Sequence, residues 1–211
     1  MAHIVLLGDS IFDNAAYVAG GPDVVRQLRA KLPAGWQATL AAVDGAVTTG
    51  VARQLDRIPA GATHLAISVG GNDALGRAGI LNESARSVGE AVGRLAEARD
   101  RFAADYDTML RAVLTRRLPT AVCTIYDPRF PDPRQQRLAA TALNLFNDVI
   151  TRAAFARGLP LIDLRVICNE DADYANPIEP SVQGGEKIST AILSLVSAHD
   201  FGRGRSEVFL R

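Results

Sequence analysis

The feature of this sequence that most constrains its fold is a repeated alternation between short apolar runs and longer amphipathic stretches. The apolar runs are nearly continuous, which is typical of strands that are buried on both faces of a parallel sheet. On this basis we predict five strands, at His3–Leu7, Ala38–Val43, Leu65–Val69, Ala121–Tyr126 and Leu161–Val166. The alternation therefore predicts an α/β fold in which helices cover both faces of a five-stranded parallel sheet.

The stretches between the apolar runs have helical periodicity. In Arg134–Arg157, the residues Leu138, Ala142, Leu145 and Val149 fall on one stripe of a helix. Four further helices are predicted at Asp23–Leu32, Gly50–Ile58, Glu83–Arg117 and Lys187–His199. The sequence contains no repeat, low-complexity tract or linker, so we expect residues 1–211 to form a single domain.

Composition excludes several classes of function. The chain has 211 residues, and its 23 Lys and Arg residues balance 23 Asp and Glu residues, which argues against a nucleic-acid or anionic-membrane partner. No apolar run approaches the ~18 residues of a membrane span. The first strand begins almost at Met1 and leaves no room for a signal peptide, so the expected location is cytoplasmic. Nothing in the sequence indicates an oligomeric state.

Small and polar residues concentrate where the predicted strands end. The segments are Gly8–Ser10, Asp44–Gly50, Gly70–Ala74, Tyr126–Pro133 and Asp173–Gly185. Any one of them alone is compatible with an ordinary turn, because turns use the same residue types. In open α/β folds, however, ligands bind at the carboxyl ends of the strands. Taken together, the segments predict a site at that edge of the sheet.

Three of these segments resemble sequence blocks of the SGNH, or GDSL, hydrolase family. "GDS" at Gly8–Ser10 is similar to the first block, "GGND" at Gly70–Asp73 to the third, and "NPIEPSVQGGEKIS" at Asn176–Ser189 to the fifth. The blocks occur in the family's order and cover nearly the whole chain. The resemblance implies a flavodoxin-like three-layer α/β/α sandwich that hydrolyses a small-molecule ester or thioester and needs no cofactor.

The resemblance also implies a role for individual residues. Ser10, at a point where a strand ends and a helical segment is expected to begin, is the expected nucleophile. Asn72 is the expected side-chain donor of an oxyanion hole, and the backbone N–H of Thr48 is the expected second-block donor when Gly45 is aligned with the first glycine of that block. Acyl transfer needs this combination of an exposed nucleophile and donors aimed at a developing negative charge.

The fifth block departs from the family pattern at two positions. Glu179 stands where the family has its histidine base, and Asn176 stands where the family has an aspartate. The replacement preserves the net charge of the pair. We therefore expect Glu179 to act as a carboxylate base for Ser10, with the Asn176 amide donating a hydrogen bond to it. An ordinary glutamate has a pKa of about 4.3 against about 6.5 for histidine, so burial would have to raise it.

No histidine is expected to replace the missing base. His3 and His64 precede their strands, and His199 ends the last predicted helix, so each is predicted to lie at the opposite pole of the sheet, ~20 Å or more from Ser10. This would change only if the tail from Phe201 onward folded back over the strand ends.

Two alternative functions remain open at this stage. In the first, the chain is a catalytically impaired binding protein that keeps the SGNH fold and pocket. Alternatively, Asp9, Asp13 and Glu179 would gather a divalent metal for metal-assisted hydrolysis. The simpler interpretations are that Asp9 is a turn residue and that Asp13 caps the first helix. Tyr126 either lines an acyl pocket or packs in its loop.

Overall fold

The computed structural model describes residues 1–210, which form six strands and seven α-helices. The strands are β1 (His3–Gly8), β2 (Gln37–Leu40), β3 (His64–Ser68), β4 (Thr120–Cys123), β5 (Leu161–Ile162) and β6 (Val208–Phe209). The helices are α1 (Val24–Lys31), α2 (Val51–Gln54), α3 (Gly71–Leu75), α4 (Val88–Leu114), α5 (Pro133–Phe155), α6 (Leu164–Ile167) and α7 (Val182–Ala198).

All six strands belong to one parallel sheet in the order β2-β1-β3-β4-β5-β6. The predicted three-layer α/β/α fold is confirmed, but the predicted count of five strands is wrong. The sixth strand has only two residues, and the apolar run that contains it, residues 208–210, is too short to predict a strand. It forms because the tail runs beside β5, where Glu207 and Phe209 accept hydrogen bonds from the backbone N–H groups of Leu161 (2.8 Å) and Asp163 (3.0 Å).

The sheet is buried between two apolar layers. Successive side chains of a central strand point alternately into one layer and into the other. In β1, Val5 and Leu7 face the layer that contains α2, α4 and α5, whereas Ile4 and Leu6 face the layer that contains α1, α6 and α7. All four side chains are fully buried. Burial on both faces explains why the strands appear in the sequence as continuous apolar runs rather than as alternating patterns.

The two long helices α4 and α5 begin at the carboxyl edge of the sheet. Helix α4 has 27 residues, and Ser87 caps it by accepting a hydrogen bond from the N–H of Glu90. It is therefore ~40 Å long, whereas β3, with five residues, spans ~17 Å. None of the helices within residues 1–210 is long and apolar enough to cross a bilayer.

The strand order reverses between β1 and β3, because β2 lies on one side of β1 and the later strands follow on the other side. The segment after β1 leads to α1 on one face, and the segment after β3 leads to α4 on the other face. The carboxyl ends of these neighbouring strands therefore diverge and leave a crevice, which is where open α/β sheets bind ligands. Ser10 follows β1 and Asn72 follows β3, so both flank this crevice.

Candidate active site

The turn that presents Ser10 begins with a glycine that no other residue can replace without moving the sheet. Gly8 has φ of +126°, and a Cβ added to it would lie 1.8 Å from the carbonyl oxygen of Ser68 on β3. The Gln54 side chain holds the backbone N–H and carbonyl of Gly8 with two hydrogen bonds of 2.7 Å. Together these contacts fix the point at which the chain leaves the sheet.

Ser10 lies on an isolated turn rather than at the start of a helix. The N–H of Asp13 donates to the carbonyl of Asp9 at 3.1 Å, but α1 begins only at Val24. The expectation that a helical segment begins at Ser10 is therefore wrong. The backbone N–H of Ser10 makes no hydrogen bond within residues 1–210, so it is free to bind a ligand.

The structure brings Ser10 and Glu179 together although 169 positions separate them in the sequence. Ser10 Oγ donates a hydrogen bond to Glu179 Oε1 at 3.0 Å. Both residues are only 6% exposed. The other carboxylate oxygen, Oε2, is buried and has no hydrogen-bond partner among the described residues.

The surroundings of Glu179 change its acid strength. Burial raises the pKa of this carboxyl to about 7, the hydrogen bond from Ser10 opposes the change, and the negative charge of Asp44 adds to it. One hydrogen bond does not replace the hydration that a carboxylate loses on burial. Glu179 therefore has a proton affinity close to that of an ordinary histidine.

The loop that carries Glu179 is held by Asn176, but not in the predicted manner. We expected the Asn176 amide to donate to the Glu179 carboxylate. Instead, Asn176 Oδ1 accepts hydrogen bonds from the backbone N–H groups of Ile178 and Glu179, both at 3.0 Å. The side chain of an asparagine readily forms such a local turn, and this preference sets its orientation here. Asn176 thus fixes the backbone of the loop and leaves the carboxylate without a second partner.

Two residues that sequence reasoning did not assign to this loop tie it to the rest of the site. Asn14, which is fully buried, donates from Nδ2 to the carbonyl of Pro180 at 3.2 Å and accepts from the N–H of Val24. The Tyr126 hydroxyl donates to the carbonyl of Ile178 at 2.7 Å. Both residues follow strand ends, which was the one feature of the sequence that could have placed them near the site. Their hydrogen-bond acceptors in the loop are backbone carbonyls, which no sequence motif specifies.

Asp9 is a second buried carboxyl beside the nucleophile. Its Oδ1 accepts a hydrogen bond from the N–H of Ile11 at 3.2 Å, as expected of a turn residue. Burial raises the pKa of Asp9 to about 8, the Ile11 contact opposes this, and the charges of Glu179 and Asp73 add to it. Burial therefore disfavours a second negative charge on Asp9 beside the Glu179 carboxylate.

Asn72 lines the same cavity as Ser10 and Glu179. Its Nδ2 donates one hydrogen bond to the carbonyl of Ala46 at 3.0 Å, which orients the amide. A side-chain amide has two N–H donors. The second is therefore available to a group bound next to Ser10.

Thr48 does not occupy the predicted position. Its backbone N–H donates to Asp73 Oδ2 at 2.9 Å and its hydroxyl to the same oxygen at 3.0 Å, and the residue is fully buried. The predicted role of the Thr48 N–H as an oxyanion donor is therefore wrong. Thr48 instead begins a short helical turn that Asp73 anchors from the neighbouring strand end.

The three histidines lie elsewhere in the fold. His3 and His64 start β1 and β3, at the amino end of the sheet. The rings of His64 and His199 both pack against Phe201, with centroid distances of 5.3 and 4.7 Å. None of the three lines the cavity that contains Ser10. The tail that follows His199 pairs with β5 rather than crossing the site.

The predicted alternative of a metal site receives no support from the geometry. Asp13 Oδ2 accepts a hydrogen bond from the N–H of Asp44 at 3.0 Å, and Asp9 contacts its own turn. Within the part of the chain that the structure describes, no group of three or more His, Cys, Asp or Glu residues could hold a metal ion.

Several solved structures are similar to this chain over almost its whole length. An extracellular lipase from Streptomyces rimosus is 19% identical, with a TM-score of 0.69 over 94% of this chain and 100% of that chain. The esterase EstA from a Pseudoalteromonas species, inhibited by monoethylphosphonate, is 18% identical, with a TM-score of 0.61 over 93% and 100%. The carbohydrate acetylesterase Est24 from Sinorhizobium meliloti is 13% identical, with a TM-score of 0.66 over 94% and 99%. At these identities the likeness concerns the fold.

Sequence comparison identifies the family directly. A search of curated protein sequences gives no match. The profile of the GDSL-like lipase/acylhydrolase family matches residues 6–186, which include Ser10, Asn72 and Glu179. The chain therefore belongs to the GDSL-like lipase/acylhydrolase family of ester-hydrolysing enzymes.

Proposed function

We propose that this protein is a serine hydrolase of small-molecule esters or thioesters in which Glu179, rather than a histidine, is the general base. The observation that carries the proposal is the 3.0 Å hydrogen bond from Ser10 Oγ to Glu179 Oε1 in a buried site. A nucleophilic hydroxyl needs an adjacent group that takes its proton, and the distance lies within the range for that transfer.

The proposed reaction has two stages. As Ser10 Oγ attacks the acyl carbon, its proton passes to Glu179 Oε1, and the protonated carboxyl then gives that proton to the leaving alcohol or thiol. A water molecule attacks the acyl-serine, gives its proton to Glu179, and Ser10 recovers a proton as the carboxylic acid leaves. A base whose pKa is about 7 suits both directions of transfer near neutral pH.

The negative oxygen that forms during each attack needs donors. The Ser10 N–H and the second N–H of the Asn72 amide are both free and both belong to residues that line the cavity. Donors that are already oriented stabilise a developing charge without reorganising. Asn72 is oriented by Ala46, which supports this role.

A binding protein that has lost catalysis is the second candidate. The unpartnered Glu179 Oε2 favours it, because none of residues 1–210 orients the base in the way that the family's aspartate orients its histidine. The two candidates differ in whether Ser10 is an activated nucleophile.

Labelling with a fluorophosphonate separates the two candidates. We expect the parent protein to be labelled at Ser10 and the Ser10→Ala variant to remain unlabelled. Ser68→Ala is the matched control, because Ser68 is a second buried serine in the same cavity and its replacement is expected to leave labelling intact. A folded parent protein that takes no label would contradict the hydrolase proposal and favour the binding protein.

A further inference from the structure

The cavity beside Ser10 is much larger than the acyl-transfer residues require. Its volume is about 920 Å³. Ligand pockets usually measure ~300–1,000 Å³, so this one is near the upper end. An acetyl group attached to Ser10 would leave most of it unfilled.

The far wall of the cavity is apolar and is built by α4 and α5. The cavity-lining side chains of these two helices are Leu95, Ala98, Leu138, Ala142, Leu143 and Phe146. A 3₁₀ turn, Ala78–Asn82, closes another side with the half-buried residues Ile80 and Leu81. The wall is therefore formed by aliphatic and aromatic groups from three separate elements.

Apart from Arg77, the charged groups that line the cavity either lie beside Ser10 or are exposed to solvent. Asp9 and Glu179 lie beside the nucleophile, whereas Glu83, Asp132 and Arg134 are exposed. Arg77 is half-buried and donates to the carbonyl of Asp73. A sugar placed against the wall of α4 and α5 would lose its hydrogen bonds to water without replacing them, which is costly. A hydrocarbon chain would lose none.

We propose that this cavity binds the acyl part of the substrate and that this part is a saturated or monounsaturated hydrocarbon chain of medium to long length, not an acetyl group. This inference rests on the proposed function, because it takes Ser10 to be the acylated residue. The chain would run from Ser10 along the wall formed by α4 and α5. The alcohol or thiol part would remain on the solvent side.

A series of p-nitrophenyl esters, from acetate through butyrate and octanoate to dodecanoate, tests the inference. Each buried methylene is expected to raise kcat/KM by up to about fourfold. Because part of the chain stays mobile, we expect octanoate to exceed acetate by on the order of 10²-fold in kcat/KM. A kcat/KM that is highest for acetate and falls with chain length would overturn the inference.

A variant that fills the cavity provides the second measurement. Ala142→Phe places a ring in the wall, and we expect it to lower the octanoate-to-acetate ratio of kcat/KM at least tenfold. Ala96→Phe is the matched control, because Ala96 is exposed on α4 and does not line the cavity. An unchanged ratio in Ala142→Phe, in a protein that circular dichroism shows to be folded, would count against the acyl site.

Binding without turnover separates this inference from the proposed function. Octan-1-ol is titrated by calorimetry into Ser10→Ala and into the double variant Ser10→Ala with Ala142→Phe. We expect saturable binding with a negative heat-capacity change in the first and at least tenfold weaker binding in the second. If no ester is hydrolysed but octan-1-ol binds in this manner, the hydrolase proposal fails and the apolar site stands. If acetate esters are hydrolysed but octan-1-ol does not bind, the apolar site fails and the hydrolase proposal stands.

Discussion

Residue type alone does not set the strength of the base in this site. A solvent-exposed glutamate has a pKa of about 4.3 and holds almost no proton at neutral pH. Glu179 is 6% exposed, and within residues 1–210 its carboxylate has one hydrogen-bond partner, Ser10, so burial raises its pKa to about 7. Burial therefore gives this carboxyl the proton affinity that a histidine has in water. The replacement in the fifth block is compatible with catalysis for this reason.

The Asn72 amide is expected to contribute to the rate rather than to substrate binding. Removing one oxyanion donor typically lowers kcat by about 10²–10³. We expect Asn72→Ala to show a loss of this size in kcat with a small change in KM, measured on one ester at pH 8. Asn82→Ala is the control, because Asn82 lines the same cavity from its exposed side. Equal losses in both variants would show that Asn72 has no special role.

At the residue scale, the sequence predicted which side chains meet more reliably than what each one does. Placement after strand ends was enough to bring Ser10, Asn72 and Glu179 to one cavity. The roles of Thr48 and Asn176 depended on where one N–H or one amide points. Asp73 accepts the hydrogen bond of the Thr48 N–H, and the Asn176 side chain accepts a hydrogen bond within its own turn. Such competition for hydrogen bonds is decided by three-dimensional neighbours, which a sequence motif does not list.

At the level of elements, the sequence patterns located five of the six strands and five of the seven α-helices, but not their ends, and they missed α3, α6 and β6. The run at Leu161–Val166 is a strand for only two residues, because Asp163 then caps α6 through its side chain. A short buried helix and a buried strand have the same apolar composition, so the run alone does not distinguish them. The strand β6 was not predicted because its extended conformation depends on pairing with β5 rather than on a pattern in its own sequence.

The loop around Glu179 is an element without regular structure, yet it is fixed at several points. Tyr174 and Pro180 form an isolated antiparallel bridge, and the N–H of Ala175 donates to the carbonyl of Glu179 at 2.9 Å. The side chain of Asp173 is buried and accepts a hydrogen bond from Lys187 at 2.9 Å. A base that must stay within reach of a nucleophile benefits from this kind of support.

On the scale of the whole molecule, the order of the strands explains why the site forms where it does. Strands β1 and β3 are neighbours, but the chain leaves them towards opposite faces. The sequence predicted the α/β class and the family correctly, because both depend on patterns that span the chain. The substrate class of small esters or thioesters, single-domain organisation and a cytoplasmic location stay predictions.

The buried carboxyl is also expected to lower the stability of the folded protein at high pH. Because the pKa of Glu179 is higher in the folded chain (about 7) than in the unfolded chain (about 4.3), its neutral form is favoured by folding. The resulting stabilisation is fully present below pH ~4.3 and is lost as the pH rises through about 7. At about 1.4 kcal/mol per pKa unit, the difference between the two pKa values corresponds to about 4 kcal/mol over the whole pH range.

Urea unfolding at pH 4.5 and pH 8.5 measures this effect. From pH 4.5 to pH 8.5 we expect the free energy of unfolding of the parent to fall by about 3 kcal/mol more than that of Glu179→Gln. Comparing two pH values removes any pH-independent cost of the glutamine. Glu97→Gln is the control, because Glu97 is exposed on α4. If the two variants behave alike, Glu179 does not have a raised pKa.

The pH dependence of kcat/KM for one ester, from pH 5 to pH 9, tests most directly the central claim that the Glu179 carboxylate is the base for Ser10. A protonated Glu179 cannot accept the Ser10 proton, so we expect kcat/KM to fall tenfold per pH unit below about 7 and to be level above it. We also expect Glu179→Gln to lose activity by about 10²–10⁴-fold. A rate that is flat between pH 5 and pH 8 in the parent, or a Glu179→Gln variant that retains the parent's rate and profile, would show that Glu179 is not the base.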